Sequence, residues 1–177
     1  MPIRKTCSGC NETFPLTEEY FHRDHNYKHK ANKYFATLCK TCHYKAHIKW
    51  TNTKRGRLSR ALKRAKSKEK STELTLDFLM ELYNKQNGLC ALSGIIMESN
   101  GGNIHKKNKI NPHIISIDRI DNNKGYTKDN VQLVCGIVNR MRNELSIEQF
   151  ILYCERIIQY ANKKDEEGLV LGISRSV

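Results

Sequence analysis

Between Asp118 and Asn139 the chain sets out oxygen-bearing side chains at the ends of apolar runs. Asp118 ends the first, Ile114 to Ile117, and Asn130 precedes the second, Val131 to Val134. Asn139 lies in the helically spaced stretch after Cys135, where Ile137, Val138 and Met141 are apolar and Arg140 and Arg142 polar. An Asp carboxylate and an Asn carboxamide suit Mg²⁺, Mn²⁺ or Ca²⁺ rather than zinc. Such a pair can hold one hard cation against a phosphate. The β-branched run 114–117, bounded by Pro112 and by Asp121-Asn122-Asn123-Lys124-Gly125, predicts a short strand. Residues 131–134 predict a second strand, and period 3.6 from Ile137 predicts a helix. Taken singly, Asp118 is a solvated strand end and residues 121–125 a hairpin turn. The ordered series is what argues for a site.

With Gly125-Tyr126-Thr127 and Asn130-Val131-Gln132-Leu133-Val134-Cys135 in place, the segment resembles the ββα-metal core of HNH (His-Me finger) endonucleases. The resemblance implies that Asp118 and Asn139 are metal ligands, that Asn130 braces the active-site loop, and that the substrate is DNA. Arg119 stands where the family carries its general-base His. Arginine stays protonated near neutral pH, so it cannot accept a proton from water, but it can grip a phosphate oxygen. A base must then come from elsewhere. His113, five residues before Asp118, is the first candidate because His titrates in the useful range. His105, Tyr126 and Asp121 are the others, and spacing favours none of them.

Cys7-Ser8-Gly9-Cys10 and Cys39-Lys40-Thr41-Cys42 are two C-x-x-C pairs, each able to give half of a Cys₄ zinc site. Phe14, Phe21, Tyr27, Tyr34 and Phe35 between them would supply a small apolar core around a structural Zn²⁺. Met1 to Lys5 shows no apolar signal region, and a reducing cytoplasm disfavours disulfides, so zinc is the expectation. His43 and His47 read as a solvated or phosphate-facing pair. Cys90-Ala91-Leu92-Ser93 and Cys135-Gly136-Ile137-Val138 look like a second zinc site that has lost half its ligands. Cys90 and Cys135 are therefore expected as small buried residues, and Cys154 as a helix-core residue.

The formal net charge is +13, with 31 Lys and Arg against 18 Asp and Glu. That balance favours a polyanionic partner, nucleic acid above all. Residues 45 to 70 hold eleven basic side chains against Glu69 alone. Leu58, Ala61, Leu62 and Ala65 recur there at helical spacing, predicting a basic helix with a narrow apolar stripe. Arg55, Arg57, Arg60, Lys63 and Arg64 are its expected DNA contacts. The stripe lacks the large aromatics of a membrane-surface helix, and no apolar run is long enough to span a bilayer.

The reading is thus an α+β chain in four parts. A Cys₄ module covers 1–50, a basic helical connector 51–72, an HNH-type nuclease domain 73–162 and a tail 163–177. Thr75 and Ser146 are expected helix caps, Gly88 a helix stop, and the Lys- and Gly-rich stretch between Met97 and Asn111 a loop. The expected function is metal-dependent hydrolysis of DNA phosphodiesters with Mg²⁺ or Mn²⁺, of homing or restriction type. A junction-selective nuclease and a non-catalytic DNA-binding protein on a decayed nuclease core stay open. The resemblance points to phage or mobile-element nucleases acting in a bacterial cytoplasm, and leaves oligomeric state open.

Overall fold

The computed structural model describes residues 3–23, 35–69, 72–100 and 111–166. His105, Tyr27, Tyr34, Lys70, most of the expected loop before Asn111 and the end of the tail lie outside them. Two compact units meet between Gly56 and Arg57.

In the first unit, β1 (Arg4–Thr6) pairs antiparallel with β2 (Thr13–Pro15), and β3 (Phe21–Arg23) with β4 (Phe35–Cys39). Helix α1 (Lys40–Thr51) follows directly, with Cys39 as its N-cap. Strands this short cannot enclose much apolar surface. The core is Cys7, Phe21 and Cys39, with Phe14, Leu16, Tyr20, Phe35 and Leu38 half-buried around it. Phe14 stacks on Tyr20 at 5.3 Å between centroids and meets Phe21 edge-on at 6.3 Å.

The second unit is built on α2 (Lys54–Lys68), which runs across the boundary, and α3 (Leu76–Lys85). The hairpin β5 (Ile115–Arg119) and β6 (Val131–Cys135), α4 (Gly136–Arg142) and α5 (Ile147–Glu166) complete it. Strands β5 and β6 pair antiparallel with Ile117 opposite Leu133 and Asp118 opposite Gln132. Ile115, Ile117, Val131, Leu133, Val134 and Val138 form the buried centre with Leu74, Leu79 and Tyr83. The Thr75 hydroxyl accepts from the Phe78 amide to cap α3, and Ser146 and Gln149 cap each other reciprocally at α5. Helix α3 ends at a left-handed turn, Asn87 and Gly88 at φ 53° and 72°. The Gln86 side chain then pairs with both backbone groups of Leu133, covering the open edge of β6.

The expected basic connector is a core element of this unit. Leu58 is fully buried, and Ala61 and Leu62 join the same cluster as the hairpin. Amphipathic spacing shows that a face is apolar but not what it meets, and here it meets the β5–β6 hairpin. Leu58→Ala is expected to cost about 2–5 kcal/mol, the usual loss for a buried leucine, measured by chemical denaturation. A solvated connector would show almost no change.

Helix α5 runs to Glu166, four residues past Asn162, after which the expected tail begins. Past Phe150, which packs on the core, Ile151, Leu152, Tyr153, Ile157, Ile158 and Tyr160 are exposed and Cys154 is only half-buried, so Cys154 is not a core residue. Cys90 and Cys135 are buried as expected. Burial pushes the Cys135 thiol up to about 11, as does the nearby Cys90. No helix among the described residues is long and apolar enough to cross a membrane.

Candidate functional site

Side chains alternate along a strand, so Ser116 and Asp118 share the face of β5 opposite to Ile115, Ile117 and Arg119. Helix α4 packs on that face with Asn139 and Arg142, three residues apart and therefore neighbours on its surface. Asn139 Nδ2 donates to Ser116 Oγ at 2.8 Å and to the Ile117 carbonyl at 3.0 Å. With its nitrogen committed to β5, the Asn139 carbonyl oxygen is the atom left to serve a ligand. Asp118 lies in the same seam, 5% exposed.

Arg142 dominates the surroundings of Asp118. Its guanidinium is fully buried and donates to Asp118 Oδ1 at 2.7 Å. Further bonds run to the carbonyls of Arg119 at 2.9 Å and Ile120 at 3.0 Å. Gln132, facing Asp118 across the hairpin, donates to Oδ2 at 2.9 Å. Both carboxylate oxygens thus accept one bond from the protein, and each keeps a lone pair. In the sequence Arg142 is only a polar residue of a helix. Its spacing from Asn139 was the available signal.

Asn130, 3% exposed, ties the loop between the strands to itself. Its Nδ2 donates to the carbonyls of Asp121 at 3.0 Å and Gly125 at 2.9 Å, while Oδ1 accepts from the Asp121 amide at 2.9 Å. The Glu69 carboxylate, just beyond α2, accepts from the Tyr126 amide at 2.7 Å and holds the loop from outside. A side chain on Gly125 would meet the Glu69 carboxylate and displace it from its bond to the Tyr126 amide.

Arg119 points to the other face of the hairpin. Its guanidinium lies 5.4 Å from the centre of the Tyr126 ring and donates to the Lys124 carbonyl at 3.3 Å. His113 stands before the opposite end of β5, beside Glu98 at 3.8 Å. Three strand steps from Ile115 to Asp118 alone span about 10 Å. The structure therefore places Asp118 and Asn139 in one seam between β5 and α4, Arg119 on the other face of the hairpin, and His113 before the opposite end of β5. Strand direction, which the sequence offset did not convey, is the reason.

Arg57, expected to contact DNA, is 6% exposed, and its Nε donates to the Ile115 carbonyl at 2.9 Å. Burial lowers its pKa to about 10, with Arg64 and Arg60 adding repulsion. It anchors α2 to β5. Arg60 is half-buried, whereas Arg55, Lys63 and Arg64 are on the surface.

The second candidate site gathers Cys7, Cys10, Cys39 and Cys42, whose sulfurs all lie within 4.8 Å of one another. Tetrahedral sulfurs about 2.3 Å from zinc are about 3.8 Å apart, so this set fits the ion. Backbone amides point at the sulfurs: Cys39 N at 3.2 Å and Gly9 N at 3.3 Å from Cys7 Sγ, and Cys42 N at 3.5 Å from Cys39 Sγ. The bonds to Cys7, that from Cys39 above all, lower its thiol to about 6. The Cys39 sulfur and burial push Cys42 up to about 12. Four thiols this close compete for ionisation, and a divalent cation removes the competition. Gly9 is needed because a Cβ would meet Leu38 at 2.9 Å and the Cys42 sulfur at 3.2 Å.

No protein-family model matches the chain. An uncharacterized protein of Acanthamoeba polyphaga mimivirus is 46% identical over 54 residues, which is 30% of this chain and 9% of that much longer protein. Among solved structures, that of the rare-cutting HNH restriction endonuclease PacI is similar. It is 18% identical, with a TM-score of 0.43, over 91% of this chain and 98% of that one. The chain is α+β, with a cysteine cluster suited to zinc at its start and a strand–strand–helix unit later, as its resemblance to HNH endonucleases implies.

Proposed function

We propose that the chain is a metal-dependent DNA endonuclease of HNH type. The observation that carries the reading is that Asp118 and Asn139 both lie in the seam between β5 and α4, Asn139 bonded to β5 and Asp118 bonded to Arg142 of α4. One carboxylate oxygen and one carboxamide oxygen suit a Mg²⁺-class ion whose remaining ligands come from water and phosphate. When bound, such an ion polarises the scissile phosphate and stabilises the leaving oxygen. The protein's share is positioning. Arg142 and Gln132 fix the Asp118 carboxylate, Ser116 orients Asn139, and Asn130 holds the loop that follows Arg119 at the end of β5. Arg119 grips a phosphate oxygen from its place over Tyr126. Because Arg142 already offsets the charge of Asp118, the free protein binds the metal weakly.

A plasmid-nicking assay with Mg²⁺ or Mn²⁺ tests this. Wild type nicks. Asn139→Ala loses about two orders of magnitude or more, the usual scale for a lost catalytic electrostatic contact. His113→Ala retains activity, given its distance from Asp118. Metal-independent nicking, or unchanged activity in Asn139→Ala, would contradict the assignment.

A second reading, a DNA-binding protein on a decayed nuclease core, is favoured by the Asp118–Arg142 pair, which leaves little negative charge for a cation. Binding without cleavage in the same assay would select it. Both readings give DNA contact to the exposed side of α2. Replacing Lys63 and Arg64 together by glutamine is expected to reduce the slope of log binding constant against log salt by roughly 2, near 0.9 per phosphate contact. Arg57→Gln leaves the slope unchanged and lowers stability instead.

A further inference from the structure

Helix α1 carries no apolar stripe, and Thr51 is its one buried residue. A helix that packs so little normally survives through ion pairs along its surface. Here that support is missing, because α1 contains no acidic residue, and Lys45 and Lys49, one turn apart, repel. What it displays instead is rings. His43, His47 and Trp50 fall four and three residues apart, on one side of the helix. His22 from β3 lies against His43 with centroids 4.9 Å apart, and His47 stacks on Trp50 at 6.5 Å and 29°. Trp50 is 45% exposed, and Lys40, Lys45 and Lys49 are exposed around the row.

We infer that this face of α1 is a stacking surface for the unpaired bases of single-stranded nucleic acid. Flat π-systems alternating with ammonium groups match a strand whose bases stack while its phosphates are neutralised. A protein partner would call for exposed aliphatic side chains, and the one large aliphatic side chain of α1, Ile48, is half-buried. The cysteine cluster fixes the helix start through Cys39 and Cys42, so the rings stand on a rigid base. The inference concerns the first unit alone and needs no cleavage by the second.

Trp50 is the chain's single tryptophan and reports on this surface directly. Zinc-loaded full-length protein, without Mg²⁺, is titrated with unstructured oligothymidine and with duplex DNA of equal length. Tryptophan emission is expected to fall with the single strand and to change much less with the duplex. By anisotropy of labelled oligothymidine, Trp50→Ala and His47→Ala weaken binding roughly 5- to 100-fold, the scale of a lost base–aromatic stack. Trp50→Phe, which keeps a ring, retains most of the affinity, and circular dichroism verifies that each variant is folded. An unquenched tryptophan, or affinity for oligothymidine unaltered in folded Trp50→Ala and His47→Ala, overturns the inference. Either result leaves the nuclease proposal standing, which rests on nicking alone.

Discussion

Removing zinc, or replacing Cys39 by serine, is expected to unfold the first unit and leave the second folded. Few apolar side chains close the first unit, and its sheets are pairs of short strands. Structural zinc contributes about 10–16 kcal/mol of apparent binding free energy in comparable small modules, more than such a core supplies. Cys39 also ends β4, caps α1 and donates its amide to the Cys7 sulfur, so its loss releases three elements at once. Trp50 lies in this unit, and its emission follows the transition. Hydrogen exchange on β5 and β6 should stay slow throughout. Persistence of native emission in zinc-free protein would show that the cysteines are not a folding site.

The buried pair in the seam gives the second large effect. Arg142→Met leaves the Asp118 carboxylate buried without its cation, and Asp118→Ala leaves the guanidinium without its anion. Each is expected to cost about 3–5 kcal/mol, because an uncompensated buried charge retains its desolvation penalty. Replacing both, with leucine at 118 and methionine at 142, should recover most of the loss. A double-mutant cycle in chemical denaturation measures this coupling. Additive losses would mean that the two side chains act independently. The effect also bears on function: loss of nicking in Asp118→Ala mixes catalysis with stability, so Asn139, half-buried and uncharged, is the better probe of the site.

What the sequence made legible was local. Two β-branched runs and the helical spacing after Cys135 placed β5, β6 and α4 within a residue or two, since those patterns are set by neighbours in the chain. The C-x-x-C pairs were legible for the same reason: tight spacing alone aims two thiols at one point. The misplaced features depend on what a face meets. The basic residues around Leu58 suggested a DNA-binding helical connector, but its stripe packs against the hairpin, and Arg57 goes inside with it. His113 is close to Asp118 in number and at the other end of the strand in space. Little in the sequence marks Arg142, because an arginine on a helix is normally a surface residue; only the arrangement of α4 on β5 shows a carboxylate and two carbonyls waiting for it.

The most direct measurement is Mg²⁺-dependent nicking of supercoiled plasmid by wild type and by Asn139→Ala, each verified as folded by thermal denaturation. Nicking by wild type is expected to disappear without divalent metal and to fall by about two orders of magnitude or more in the variant. Equal nicking by the two folded proteins, or none by wild type at any Mg²⁺ or Mn²⁺ concentration, would contradict the proposal.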